Sequence, residues 1–282
     1  MSFKPFKTVG IGVTFSPNLK ANVYEASRLS LMFNSKLILI HVGEETQEKK
    51  DTFTTILSPF LNQNLSVEII FKVGNPVDVI LTVSQNKNVD LLILGALKKE
   101  KIVNYYLGSI ARKITRQSTC SVLLLINPSV ERIPCQHIVV NGLKDPKTEQ
   151  TIESAFYISH CLGSKLITIV EEIKQDEVAV KVEDDKSLRK VTILKERIKL
   201  RETSRIKSII EHIPKKHTNA ITIKSQPIFG KQGYSIGHYA QISRADLLVM
   251  NAPSKMTLWD RIFPHDIEHI LAELPTDVLI IQ

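Results

Sequence analysis

Short apolar runs alternate with longer amphipathic stretches along this chain. In the first 126 residues the apolar runs are TVGIGV, KLILIHV, SVEIIFKV, DLLILG and SVLLLI. Such nearly continuous runs of Val, Ile and Leu are typical of strands buried on both faces. The stretches between them carry apolar residues at helical spacing, and Gly74-Asn75-Pro76 marks a turn from a strand into a helix. This alternation predicts a parallel sheet with right-handed crossovers and helices on both faces.

The same pattern is written twice. NSKLILIHV returns as GSKLITIVE, in which Ser35 and Ser164 are 129 residues apart. VDLLILGALKK returns as ADLLVMNAPSK, in which Asp90 and Asp246 are 156 residues apart. The two offsets differ by 27 residues, so the second copy carries an insertion of that length, and it falls within residues 171–226. A repeat of this length indicates one duplicated folding unit.

We therefore predict an α/β protein of two tandem Rossmann-like domains, each a doubly wound, five-stranded parallel sheet. The first domain covers residues 1–130 and the second residues 134–282, with the junction in NPSVERIPC. A length of 282 residues is sufficient for two domains of ordinary size.

Composition and charge narrow the functional classes. The chain is 43% hydrophobic and 23% charged, as in ordinary folded proteins. Its net charge of +8 makes nucleic acid a partner to consider. Much of the excess positive charge, however, lies in a helical stretch with interleaved acidic residues. That arrangement favours a solvated helix face over a nucleic-acid surface. Without a long apolar segment or a secretory leader, we expect a cytoplasmic protein with no membrane contact. The three scattered cysteines favour neither a disulfide framework nor a zinc site.

Two glycine positions suggest where a ligand could bind. In doubly wound sheets, ligands bind at the carboxyl ends of the strands. Gly95 directly follows the fourth strand, and Gly108-Ser109 precedes the last helix of the first copy. Backbone N–H groups at a helix start, together with the helix dipole, can hold an anion. By itself, however, this spacing fits an ordinary helix start equally well.

The spacing Gly95-x2-Lys98-x9-Gly108-Ser109 resembles the Gly-x2-Gly-x9-Gly-Ser ATP-binding signature of the universal stress proteins. The segment VGNPVDVILTVSQNKNVDLLILGA is similar to that family's helix start and fourth strand, and CSVLLLI to its closing strand. The resemblance covers the whole chain in two copies, so the chain is identified as a tandem universal stress protein. It implies a stress-response binding or regulatory protein. The sequence places no base beside a nucleophile and no third ligand beside His265 and His269, so we expect no catalytic residues and no metal site, with slow ATP hydrolysis as the one activity left open.

The resemblance also implies that ATP or another adenine nucleotide binds to the first domain only. Val42 would pack on the adenine, Gly95 and Lys98 would line the phosphates, and the helix start would receive the outer ones. Thr14 stands where the family usually has an acidic residue at the end of the first strand. The cofactor-binding residues implied are Thr14, Val42, Gly95, Lys98, Gly108, Ser109 and Ile110. Lys98 replaces a family glycine, and it either adds a cation beside the phosphates or fills the pocket.

The second copy departs further from the signature. At the same spacing it carries Asn251, Ser254 and Pro264-His265. Pro264 has no N–H to offer an anion, so we expect no ATP in this half. The family resemblance also implies pairing through the last strands, around residues 122–126 or 278–281, either in a homodimer or as a pseudo-dimer within the chain. The alternative function is a nucleotide-independent scaffold that recruits a protein partner, as yet unknown, through the inserted helix.

Overall fold

The computed structural model describes residues 5–98, 105–178, 183–252 and 266–282. These residues form two compact units. The first unit contains the described residues up to Pro134 together with those from Leu271 onward, and the second contains Cys135–Ile270. This grouping follows spatial contact, whereas the predicted boundaries follow the duplicated sequence. The division into domains 1–130 and 134–282 stays a prediction.

The first unit is an α/β structure whose strands and helices alternate. Its long strands are β1 Thr8–Val13, β2 Lys36–Val42, β3 Val67–Lys72, β4 Leu91–Gly95 and β7 Ser121–Leu125, and its short ones are β5 Leu97–Lys98 and β6 Tyr105–Tyr106. Its helices are α1 Leu19–Phe33, α2 Gln47–Leu61, α3 Pro76–Asn86 and α4 Ser109–Gln117. The five long strands lie in the order β3-β2-β1-β4-β7 and are all parallel.

A sixth strand of the first unit comes from the end of the chain. This strand, β12 (Asp277–Ile281), runs antiparallel to β7, with Val278 opposite Leu124 and Ile280 opposite Val122. The Asp277 carboxylate accepts a hydrogen bond of 2.8 Å from the backbone N–H of Ile126. The two segments predicted to pair, 122–126 and 278–281, are thus paired with each other within one chain.

Local sequence explains why the first unit folds this way. The side chains in the middle of β2 and β4 are almost fully buried, as strands covered on both faces require. Helix α3 begins with Asn75 as its N-cap, whose side chain accepts a 3.0 Å hydrogen bond from the Val77 N–H, and Pro76 occupies the first turn. The preceding Gly74 has φ of +148°, which a side chain would rarely adopt.

The second unit repeats the pattern with a longer insertion. Its strands are β8 His137–Asn141, β9 Leu166–Lys174, β10 Thr222–Gly230 and β11 Leu247–Asn251. Its helices are α5 Thr148–Leu162, α6 Asp185–Glu211, α7 Lys215–Thr218 and α8 Tyr234–Ile242, and α9 Asp266–Ala272 leads towards β12. The strands lie in the order β10-β9-β8-β11 and are parallel.

Helix α6 forms most of the insertion. It has 27 residues and begins with a capping box between Asp184 and Ser187. Its buried face places Val191 and Ile198 against Ile173 and Val178, which lie in β9 and the turn that follows it. The predicted α/β class with Rossmann-like crossovers is therefore confirmed. None of the helices in the described ranges combines the length and apolar character that crossing a bilayer requires.

Candidate functional site

The carboxyl ends of β1, β2 and β4 meet at one edge of the first sheet, because β1 pairs in parallel with both β2 and β4. Three predicted site residues lie at this edge. Thr14 follows β1 and is exposed, whereas Val42 ends β2 and Gly95 ends β4, both half-buried. Parallel pairing thus places these three residues, which are distant in the sequence, on neighbouring strand ends.

The segment between Gly95 and Gly108 begins and ends as a hairpin. Strands β5 and β6 pair antiparallel, with Leu97 opposite Tyr106. Each glycine lies two residues from that pair, so the hairpin holds the two ends of the segment near each other. Residues 99–104 and the side chain of Lys98 lie outside the described part of the chain. The two alternatives for Lys98 therefore stay open.

Gly108 is the N-cap of α4 and has extended backbone angles, φ −60° and ψ 159°. No side chain caps this helix, and its first turn contains no acidic residue. Ser109 and Ile110, the first two helical residues, are exposed, Ile110 by 47%. Since the first N–H groups of a helix have no acceptor within it, this end of α4 can offer amides and the positive end of the dipole to an anion.

Asn22 on α1 is a site residue that the sequence analysis missed. Its side-chain amide lies against Gly95, where a Cβ would be 3.4 Å from Asn22 Oδ1. That oxygen is buried and has no hydrogen-bond partner among the described residues. Leaving a buried acceptor unpaired costs about 1–3 kcal/mol. The edge of the sheet beside Gly95 therefore contains an acceptor that a ligand N–H or O–H can satisfy.

An aromatic cluster lines the same edge, where β1, β2 and β3 end. The ring of Phe15 lies 5.0 Å from that of His41 and 5.3 Å from that of Phe53, and Phe71 lies 5.7 Å from His41. Phe15 is 44% exposed, and the Lys49 ammonium lies 5.9 Å from its ring centre. An exposed aromatic ring beside a buried cluster gives a planar ligand an apolar surface to pack on.

The corresponding edge of the second sheet is filled by polar side chains. The 129-residue offset places Glu171 where the first copy has Val42, and the 156-residue offset places Asn251 where it has Gly95. The Asn251 amide donates a 3.0 Å hydrogen bond to Thr148 Oγ1 on α5. Ser254, Pro264 and His265, which the sequence analysis placed in this loop, lie outside the described residues.

Two further observations concern metal-ligating and nucleophilic side chains. Within the four described ranges, no group of three or more His, Cys, Asp or Glu side chains is arranged to hold a metal ion. Burial raises the pKa of the Cys120 thiol, so this cysteine is not a thiolate at neutral pH. The described part of the first carboxyl edge offers a ligand backbone amides, an unpaired acceptor and an apolar surface.

Comparison with known sequences points to one family. The sequence model of the universal stress protein family matches residues 43–125. A universal stress protein from Synechocystis sp. is 26% identical over 91 residues, which are 32% of this chain and 59% of that protein. Another from Methanothermobacter thermautotrophicus is 28% identical over 64 residues, 23% of this chain and 43% of that protein. The matched stretch thus spans about half the length of these relatives.

Solved structures are similar over nearly the whole chain. A Pseudomonas aeruginosa protein of unknown function aligns with 98% of this chain and 92% of its own, with a TM-score of 0.72 and 14% identity. A universal stress protein from Archaeoglobus fulgidus aligns over 98% of both chains, with a TM-score of 0.64 and 15% identity. At these identities the likeness establishes the fold.

Proposed function

Since the chain belongs to the universal stress protein family, we propose that its first copy binds ATP or another adenine nucleotide and acts as a regulatory protein. One observation carries this proposal: the buried, unpaired Oδ1 of Asn22 lies beside Gly95, at the strand edge that the family uses for its nucleotide. A ligand that donates a hydrogen bond there removes an energetic penalty that the free protein bears. Such a ligand binds more tightly for that reason.

Different site residues contact different parts of the nucleotide. The base lies against Val42, as the family resemblance implies. The exposed ring of Phe15 packs on His41, on the opposite face of β2, and offers a second apolar surface at the same strand ends. The phosphates lie at the start of α4, where no side chain caps the helix and the first amides, those of Ser109 and Ile110, are available. Thr14, in place of the acidic residue usual in the family, offers a single neutral hydroxyl, so its contact with the sugar is weaker than that of a carboxylate.

Nucleotide binding by the first copy regulates the protein and is not part of a catalysed reaction. The described first edge contains no positioned base beside a nucleophile, and we propose no enzymatic activity. A nucleotide that contacts both Gly95 and α4 stabilises one arrangement of the hairpin between them. The nucleotide thereby shifts the population towards the form that engages a protein partner. The second copy, with Glu171 and Asn251 at the equivalent positions, serves a structural or regulatory role without nucleotide.

The pairing of the last strands bears on how the chain associates. The pairing of β12 with β7 uses up the strand edge that would otherwise join two chains, which supports a pseudo-dimer within one chain over a homodimer. We further propose that the protein is cytoplasmic and contacts neither nucleic acid nor membrane.

A nucleotide-independent scaffold is the second candidate. Helix α6 exposes Leu188, Ile193 and Leu200 by 51%, 53% and 67% among many basic side chains. Apolar side chains on a solvated helix are suited to a protein contact. In this alternative the insertion recruits the partner, and the first edge has no ligand.

Titration of the full chain with a fluorescent ATP analogue separates the two functions. We expect saturable binding by the wild type and its loss in Gly108→Asp, because a carboxylate at the start of α4 repels phosphate. Asn75→Asp is the matched control, since it adds the same charge at the N-cap of α3 and keeps the cap. Absence of binding in the wild type favours the scaffold. Binding only in Lys98→Gly identifies Lys98 as the block.

A further inference from the structure

Glu171 is a buried carboxyl group at the carboxyl edge of the second sheet. It lies in β9, is 2% exposed, and stands where the first copy has Val42. Its Oε1 accepts a 2.8 Å hydrogen bond from Ser225 Oγ on β10. Its Oε2 is buried and has no partner among the described residues. A carboxylate in this position lacks most of the hydrogen bonds that it would have in water.

Helix α6 contacts the sheet edge next to this carboxyl group. The Arg205 guanidinium donates a hydrogen bond to the carbonyl oxygen of Gly142, at the end of β8, and a 2.8 Å bond to Glu202 Oε2. Glu202 is 6% exposed and also accepts a 2.9 Å bond from Arg201. Gly142 lies so near that a Cβ there would be 3.3 Å from Glu171 Cγ. The contact of α6 with the sheet edge is thus made beside Glu171.

The surroundings disfavour a negative charge on Glu171. Burial raises the pKa of its carboxyl to about 7, although the Ser225 hydrogen bond and the positive charge of Arg205 lower it, and the negative charge of Glu202 raises it further. Arg205 and Glu202 are the charged groups of α6 that act on it. From the strands, β10 contributes the neutral hydroxyl of Ser225 and β8 the glycine Gly142.

The neighbouring Glu172 provides an internal contrast. It is equally buried, 5% exposed, but both of its oxygens accept hydrogen bonds from backbone amides at the start of α8. These bonds are 2.9 Å from Gly233 N and 2.7 Å from Ile236 N. Two N–H donors stabilise a carboxylate in the interior. Glu171 has the Ser225 hydroxyl and its own backbone N–H as donors, and its Oε2 has no partner among the described residues, so burial and incomplete pairing coincide at this residue.

We propose that Glu171 is a pH-sensitive latch: when protonated it allows α6 to lie closed over the carboxyl edge of the second sheet, and its ionisation favours an open arrangement. In the open form the carboxylate is hydrated and has an ordinary pKa near 4.5. The Glu171 carboxyl has the higher pKa in the closed form. The closed form is therefore fully favoured below pH 4.5 and loses stability as the pH rises through 7. By linkage, the equilibrium constant for opening rises about tenfold between pH 6 and pH 8.

Hydrogen–deuterium exchange of the full chain at pH 6 and pH 8 tests the latch. The exchange rates of peptides from α6 and β10, divided by the intrinsic rates at each pH, give the opening constant. We expect the tenfold rise in the wild type and no rise in Glu171→Gln, which keeps the shape of the side chain without its titration. Glu171→Val, which restores the residue of the first copy, is the second variant in case the first does not fold.

Glu172→Gln is the matched control. It removes the adjacent buried carboxylate, which contacts α8 instead of α6, and the tenfold rise is expected to persist in it. The proposal is overturned if the wild type opens equally at both pH values, or if Glu171→Gln and Glu171→Val retain the rise. These results are independent of nucleotide, so a failure of the latch leaves the proposed function of the first copy unaffected.

Discussion

The two carboxyl edges use the same strand positions with opposite chemistry. In the first copy Val42 and Gly95 leave the edge apolar and open, and Asn22 contributes an unpaired acceptor. In the second copy Glu171 and Asn251 bring polar side chains to the equivalent positions. Ser225 and Thr148 each bond one atom of these side chains, whereas Glu171 Oε2 and Asn251 Oδ1 have no partner among the described residues. A duplicated fold can therefore keep its core while one copy is suited to a ligand and the other is closed by its own residues.

The largest effect is expected when Gly95 is replaced by asparagine, the residue at the equivalent position of the second copy. Gly95→Asn places a side chain directly against Asn22, so we expect affinity for the ATP analogue to fall about 100-fold, or about 2.7 kcal/mol. Gly95→Ala is the milder control, because its Cβ would lie 3.4–3.5 Å from the flexible end of Asn22. Affinity in that variant should change less than about fivefold. Wild-type affinity in Gly95→Asn would show that the ligand does not use this edge.

Glu171→Val, which introduces the residue of the first copy, should stabilise the protein relative to the wild type, and this advantage should grow as the pH rises. A raised pKa of about 7 for Glu171 means that stability is lost as the pH rises through that value. The advantage of Glu171→Val over the wild type should therefore grow by about 2.5 kcal/mol between pH 5 and pH 8. Urea unfolding at both pH values measures the difference.

Val42→Glu is the matching substitution in the first copy, and it tests whether a carboxyl at this strand position causes the pH dependence. It places a carboxyl at the half-buried position of the first copy, which has no Ser225 counterpart bonded to it, and it should lower stability more at pH 8 than at pH 5. An advantage of Glu171→Val that is the same at both pH values would contradict the assignment of the pH effect to Glu171.

Asn22 separates a binding role from a structural one. Asn22→Thr, which introduces the residue found at Thr151 in the second copy, should reduce affinity for the ATP analogue about 5- to 10-fold, near 1 kcal/mol. The free protein should lose no more than about 0.5 kcal/mol, since the buried oxygen that is removed has no partner. Isothermal titration and urea unfolding of the same preparation measure both quantities. A large loss of stability with unchanged affinity would make Asn22 a structural residue.

The smallest effect concerns the hydrogen bond that fixes Asn251. Thr148→Val leaves the Asn251 amide without its 3.0 Å acceptor and should cost about 1 kcal/mol of stability. The double variant Thr148→Val with Asn251→Gly should cost less than the sum of the two single variants, because the two side chains interact. Urea unfolding of the four proteins completes the cycle, and strict additivity would show that the bond contributes nothing.

Much of the fold follows from sequence because burial on both faces leaves a strong local pattern. Strand β4 is an uninterrupted apolar run, and Asn75-Pro76 supplies both the cap and the first turn of α3. The duplication shows the same pattern a second time, and the change of offset between the copies locates the insertion that contains α6. The α/β class is confirmed by the structure, and the resemblance to the universal stress proteins is supported by the family model that matches residues 43–125.

The candidate site was less predictable, because its features depend on contacts between distant segments. Asn22 lies in an amphipathic helix where a polar residue is unremarkable, and only its contact with Gly95 gives it meaning. Glu171 ends an apolar run, so the sequence suggests exposure, whereas α6 buries it. The seven site residues taken from the family resemblance, Lys98 among them, stay predictions.

The origin of β12 affects how the first unit is completed during synthesis. Strand β7 ends at Leu125, but its antiparallel neighbour begins at Asp277, about 150 residues later. Until the ribosome has made that distant segment, the edge of β7 is an unsatisfied row of backbone donors and acceptors, open to pairing with another nascent chain. Because β12 supplies the partner of this edge, we expect assembly of the first unit to be sensitive to loss of residues 277–281.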